Sequence, residues 1–212
     1  MPSLADIKRA GTTVRIACEL QELKFRDAPY AEFVALISKA ISYSVSSIVS
    51  QKNVLQNLNE DQLTAFVISP LKAMMFDIAH ERNIGGKCDI SIVGYSEYLW
   101  LAEAKIFSSY GKLLGGYRQL LRRYATGLPN QDRGAMLIYM YRSGKAKDRM
   151  AKWAKYLLQS EQDVTVAWES SRIEFTSSQD HSGSGLPFIA NHIPVILYHV
   201  PTDTIKPPKR IG

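Results

Sequence analysis

The chain has 212 residues, 46% hydrophobic and 22% charged, and a formal net charge of +6. These are the proportions of a globular domain with a real core, and they exclude a chain dominated by disorder. Two cysteines, Cys18 and Cys88, are too few for a disulfide framework and lack the CxxC spacing of a zinc site, so a reducing, cytoplasmic setting is expected.

No apolar run approaches the roughly 18 residues of a membrane span. Met1 to Ala10 lacks the apolar segment of a secretory signal, so no membrane partner is expected.

In chain order, residues 1–27 are ambiguous, with Thr12 to Ala17 readable as a short strand or as the start of a helix. Pro29 precedes Tyr30 to Ser50, where Phe33, Leu36, Ile37, Ala40, Ile41 and Val45 recur at helical spacing. Asn59 is a good N-cap, and Glu60 and Asp61 sit where the helix dipole favours acids. The apolar face that follows runs from Leu63 to Ile78, interrupted by Pro70, and predicts a helix ending before Gly85-Gly86.

Residues 87–93 and 98–105 predict two strands around a turn at Gly94-Tyr95-Ser96. Residues 112–125 predict a helix with an apolar side (Leu113, Tyr117, Leu120, Leu121, Tyr124) and a basic one. Ala135 to Tyr141 reads as a buried strand, Lys145 to Leu158 as a second basic helix, and 164–168, 172–176 and 195–200 as further strands. Gln179 to Gly185 reads as a polar loop and Lys206 to Arg210 as a flexible tail. The order describes a mixed α/β domain.

Charge is unevenly placed. Lys105 to Lys155 holds twelve Lys and Arg against two acids, Asp132 and Asp148. A clustered basic surface is the footprint of a polyanion binder, although a solvated helical face has the same composition.

Strand side chains alternate, so Glu103 and Lys105 share a face with Leu99 and Leu101. Two charges closing a strand otherwise this apolar need a partner. Asp89 opens the preceding strand. For Asp89 and Glu103 to oppose each other on one face, Val93 must pair with Leu99; a pairing of Asp89 with Ala102 would send the two carboxylates to opposite faces. Two carboxylates and waters suit Mg²⁺ or Mn²⁺, which activates water and neutralises phosphate oxygens. Lys105 is placed to orient that water or stabilise the phosphate. Glu60 is a candidate third carboxylate, with Asp61 and Glu81 as rivals. A turn acid at Asp89 and a structural Glu103–Lys105 ion pair are the bland alternatives.

From Glu60 to Tyr141 the chain resembles the PD-(D/E)xK phosphodiesterase superfamily, which has the restriction-endonuclease-like fold. The resemblance rests on Asp89 in Gly-Gly-Lys-Cys-Asp-Ile, on Glu103-Ala104-Lys105 ending an apolar strand, and on a following helix that carries Gln119 and Tyr124. It implies a core of helix, three strands, helix and strand, with 1–59 as an N-terminal helical extension packed on a domain of 60–212 that ends in added strands. It also implies Asp89 and Glu103 as metal ligands helped by the Ala104 carbonyl, Lys105 as the catalytic lysine, Glu60 as the helix glutamate, and Gln119 approaching the site.

Two departures stand out: no proline precedes Asp89, and Gln119 to Tyr124 is one residue longer than the RecB-like spacing. The implied activity is Mg²⁺-dependent endonucleolytic hydrolysis of DNA, more than RNA, with a setting such as anti-phage defence or restriction. Lys87, Lys112, Arg118, Arg122, Arg123, Lys145 and Lys147 would hold the nucleic-acid backbone. A homo-oligomer or a regulatory partner fits such an enzyme. The alternative is a non-catalytic nucleic-acid-binding module or regulatory subunit of the same fold.

Overall fold

The computed structural model describes residues 11–83, 86–169 and 173–200, with 79–83 described by backbone alone. The expectations for Gly85, for a strand beginning at Arg172 and for the Lys206–Arg210 tail lie outside the described residues. The elements are α1 (Thr12–Phe25), α2 (Tyr30–Ser50), α3 (Glu60–Ala73), β1 (Asp77–Asn83), β2 (Lys87–Val93), β3 (Leu99–Ile106), α4 (Tyr110–Gln119), a π-helical turn (Leu120–Tyr124), β4 (Arg133–Met140), α5 (Ala146–Ser160), β5 (Thr165–Trp168), β6 (Phe175–Asp180) and β7 (Pro187–Ile196).

The strands form one mixed sheet in the order β1-β2-β3-β4-β7-β6-β5. β3, β4 and β7 run parallel at its centre, and antiparallel pairs flank them on both sides. Helices cover both faces, as the central parallel strands require. α1 to α3 pack on the face carrying Trp100, Ala102, Ala104, Leu137 and Tyr139. α4, the π turn and α5 pack on the face carrying Leu99, Leu101, Met136 and Ile138. The alternation expected of β3 is therefore present, and its Glu103 and Lys105 belong to the α4 face at the strand's C-terminal end.

Several boundaries differ from expectation. The ambiguous Thr12 region is helical, and its buried residues Ile16, Leu20 and Leu23 lie at helical spacing. α3 stops at Ala73, not before Gly85. Pro70 lies three residues from its end, Met75 turns the chain with a positive φ of 67°, and Ile78 already belongs to β1. β6 runs to Asp180, into the stretch read as a loop, and β7 begins eight residues before the expected strand at Val195.

α2 corrects the reading that no apolar run is long enough to span a membrane: by length and composition it is such a helix. Its Phe33, Ile37, Ala40 and Ile41 are buried against the domain core. At α3 the expected cap is present as a full capping box: Asn59 Oδ1 accepts the Gln62 N–H (2.8 Å), and Gln62 Oε1 accepts the Asn59 N–H (3.0 Å). That cap fixes the residue next to it, Glu60.

His192 is wholly buried in β7, stacked on Phe175 at 4.2 Å. Trp153 Nε1 donates to its Nδ1 (3.0 Å), so the proton resides on Nε2, facing Ser177 Oγ (2.9 Å). Burial holds the imidazole down to about 3, from an ordinary 6.5. Only the unfolded chain takes up this proton between those values, so the neutral histidine's contribution is complete above pH 6.5 and is lost toward pH 3. The slope due to it is about 1.4 kcal/mol per pH unit. Urea midpoints from pH 7 to pH 4 should fall more steeply for the wild type than for His192→Phe; parallel curves would refute the assignment.

Candidate active site

β2 and β3 pair in the register the site requires. Val93 lies opposite Leu99, and the ladder continues to Ile90 opposite Ala102. One step further the Asp89 side chain takes over from the ladder, its Oδ2 accepting the Ala104 N–H at 2.8 Å. Asp89 and Glu103 thereby fall on one side of the sheet, together with Lys105.

Glu60 arrives from the other face of the sheet, around the end of β3. Its Oε2 accepts the Ile106 N–H (2.8 Å) and a bond from Lys112 Nζ (3.1 Å), and its Oε1 accepts from Lys105 Nζ (3.1 Å). Of its sequence rivals, Asp61 is exposed, and the Glu81 side chain lies outside the described residues. Lys105 Nζ sits 2.5 Å from Glu103 Oε1, 3.1 Å from Glu60 Oε1 and 3.9 Å from Asp89 Oδ2. It also donates to the Ala104 carbonyl (3.0 Å), the oxygen expected to assist a metal. With the ammonium among them, the described carboxylates do not close as a group of three on one point.

The electrostatics follow from this crowding. Glu103 is 2% exposed, and burial followed by the neighbouring Asp89 charge raises its carboxyl to about 7. Its Oε2 is buried with no hydrogen-bond partner among the described residues. Burial also raises Asp89, against the pull of the Ala104 N–H and of Lys105. Glu60 moves the other way: burial pushes it up, but the Ile106 N–H and the two lysines hold it below the ordinary carboxylate range. For Lys105, burial opposes the charge and the three carboxylates more than restore it, so it stays an ammonium.

α4 lies directly over Lys105. A Cβ at Gly116 would come within 2.9 Å of Lys105 Cγ, so the glycine permits this approach of helix to strand. Gln119 lines the same groove as Lys105. Tyr124 is buried, as its apolar side predicted, with its ring against the backbone at Gly86. Burial, and then the charge of Glu103, raises its phenol to about 12. Gln119 is followed by the π-helical turn that ends at Tyr124, where the Ala125 N–H bonds to Leu120 O, five residues back (2.9 Å). A π turn accommodates one more residue than an α turn.

The basic residues divide. Lys105, Lys112, Arg118, Arg122 and Arg123 line one groove of ≈ 570 Å³. Arg118 and Arg122 are not simply solvated: both pair with Glu161, at 2.6 and 2.7 Å. Arg123 is exposed, with no ion-pair partner among the described residues. Lys87, Lys145 and Lys147 are exposed outside this groove. α5 nevertheless starts near the same end of the sheet, because its Arg149 lies over the Phe107 ring (5.5 Å), two residues beyond Lys105. Sequence reasoning missed Glu161. An acid closing a basic helix gives no local sign that it is buried under two arginines of another.

No family model matches the chain, and neither a curated protein nor a solved structure matches it.

Proposed function

We propose that the chain is a metal-dependent nuclease of the PD-(D/E)xK kind, hydrolysing phosphodiester bonds of DNA. The observation that carries this is the convergence of Glu60, Asp89 and Glu103 on Lys105 at the end of β3, under the one strand register that permits it. The succession α3, three strands, α4 and β4 supports the same reading, since it is the element order of a restriction-endonuclease-like core.

The donor type suits a hard divalent cation. Carboxylate oxygens dominate the donors, and Glu103 Oε2 is a buried oxygen with no partner among the described residues. Asp89 and Glu103 would hold Mg²⁺ or Mn²⁺, and a bound ion would supply activation of water and neutralisation of phosphate charge. Lys105, kept protonated by its neighbours, acts as a hydrogen-bond donor and positive charge toward the phosphate or the attacking water, not as a base. Glu103 is the group able to hold a proton near neutrality.

A second reading has its own observation. The Lys105 ammonium already neutralises these carboxylates, as it would in a non-catalytic nucleic-acid-binding module of the same fold. Incubating plasmid, linear duplex and single-stranded DNA with Mg²⁺, Mn²⁺ or EDTA separates the two. The nuclease reading expects cleavage with either metal, none in EDTA, and none by Asp89→Ala. DNA retention without metal-dependent cleavage selects the binding module.

A further inference from the structure

Glu161 closes α5 with a carboxylate whose side chain is only 2% exposed. Its Oε1 accepts from Arg118 Nε (2.6 Å) and its Oε2 from Arg122 Nη2 (2.7 Å). Gln179 Nε2 reaches the same Oε2 (3.4 Å), and Tyr117 donates to Gln179 Oε1 (3.1 Å). The Ser160 carbonyl takes a further bond from Arg118 Nη2 (3.4 Å).

Both arginines are thus gripped from beneath, while their side chains remain 43% and 55% exposed. Each guanidinium has five N–H donors in a planar fork, so each keeps donors beyond those it gives to Glu161 and Ser160. Those arginines line the groove that begins at Lys105. The helix that carries Arg118 presents Gly115 three residues before it, where an added Cβ would meet nothing within 4 Å, so a chain of phosphates can approach the helix backbone. The groove lining holds no aromatic side chain among the described residues, whereas grooves for single strands stack bases on aromatic rings.

We propose that Glu161 is a positioning residue that fixes Arg118 and Arg122 as a two-guanidinium clamp for the phosphate backbone of duplex DNA beside Lys105. The assignment rests on the nuclease reading above. It makes a prediction opposite in sign to simple electrostatics. Removing a negative charge from under a basic groove should tighten polyanion binding; removing a brace should weaken it.

The test measures the affinity of a short DNA duplex for the full chain in EDTA, where no cleavage is expected. Glu161→Gln should bind about tenfold more weakly than wild type, the loss expected when charge-assisted hydrogen bonds lose their alignment. Glu161→Asp should recover part of it. The double variant Arg118→Lys with Arg122→Lys keeps both charges but loses the forks, and should also bind about tenfold more weakly. Thermal unfolding checks that each variant folds; if Glu161→Gln does not, the binding of the double lysine variant decides. Equal or tighter binding by Glu161→Gln, or by the double variant, overturns the clamp while leaving the nuclease reading intact. Failure of the wild type to bind duplex also overturns the clamp, and cleavage with Mg²⁺ decides the nuclease reading separately. Tighter binding of a single strand than of the duplex overturns the substrate assignment.

Discussion

On the nuclease reading proposed above, Lys105→Met is expected to reduce Mg²⁺-dependent DNA cleavage by roughly 10²–10³-fold, the loss typical when one preorganised donor is removed from a developing negative charge. The side chain is nearly isosteric, so what is lost is the ammonium that contacts Glu103, Glu60 and the Ala104 carbonyl. Its removal leaves a buried glutamate facing two other carboxylates. Breaking one partner out of a buried pair costs about 3–5 kcal/mol, so the variant should melt earlier than wild type at pH 8. It should recover toward pH 6 as Glu103 takes up a proton, and it should be stabilised more than wild type by added Mg²⁺. Cleavage assays with thermal unfolding, with and without Mg²⁺, read both effects. Undiminished cleavage would remove Lys105 from the chemistry. A variant indifferent to Mg²⁺ would remove the carboxylates from metal binding.

On the nuclease reading, Glu103→Gln is expected to lose cleavage and to lose the fall in stability that this carboxyl causes as pH rises toward neutrality. The folded carboxyl is raised to about 7 from an ordinary 4.5, because it is buried beside Asp89. A raised acid contributes stability below its unfolded value and loses that contribution as pH rises through the folded one. In wild type the loss spans pH 4.5 to about 7 and then levels off. The amide variant, which does not titrate, lacks this pH dependence. His192 tilts both proteins the other way below pH 6.5, so the informative quantity is the difference between their denaturation midpoints at each pH. A gap that widens from pH 4.5 to 7 supports the assignment, and a constant gap refutes it.

The site was legible to different depths at different residues. Glu103 and Lys105 stand out because a polar pair two residues apart at the end of an apolar strand contradicts its surroundings. The face they share follows from alternation alone. Asp89 required a register as well, and the turn between β2 and β3 sets that register locally, with the Gly94 N–H bonded to the Tyr98 carbonyl (2.8 Å). Glu60 was one of three comparable acids. Its selection depends on the Asn59 cap and on a contact spanning 46 residues to the Ile106 N–H, which no local pattern encodes. The helix read through to Gly85 failed for a related reason: Met74, Met75 and Ile78 suit an apolar helix face as well as a turn into a strand, and only pairing with β2 decides between them.

Sequence by itself determined the α/β class, the buried central strands, the basic bias after Lys105 and the shared face of Glu103 and Lys105. All of these follow from periodicity and charge within a few residues. The tertiary structure alone decided that Glu60 joins them and that Tyr124 reaches their field through a π turn. It also decided that Arg118 and Arg122 stand on Glu161. Each of these depends on groups distant in the chain being brought together, at a cost in chain entropy that the packed core offsets and no single segment could.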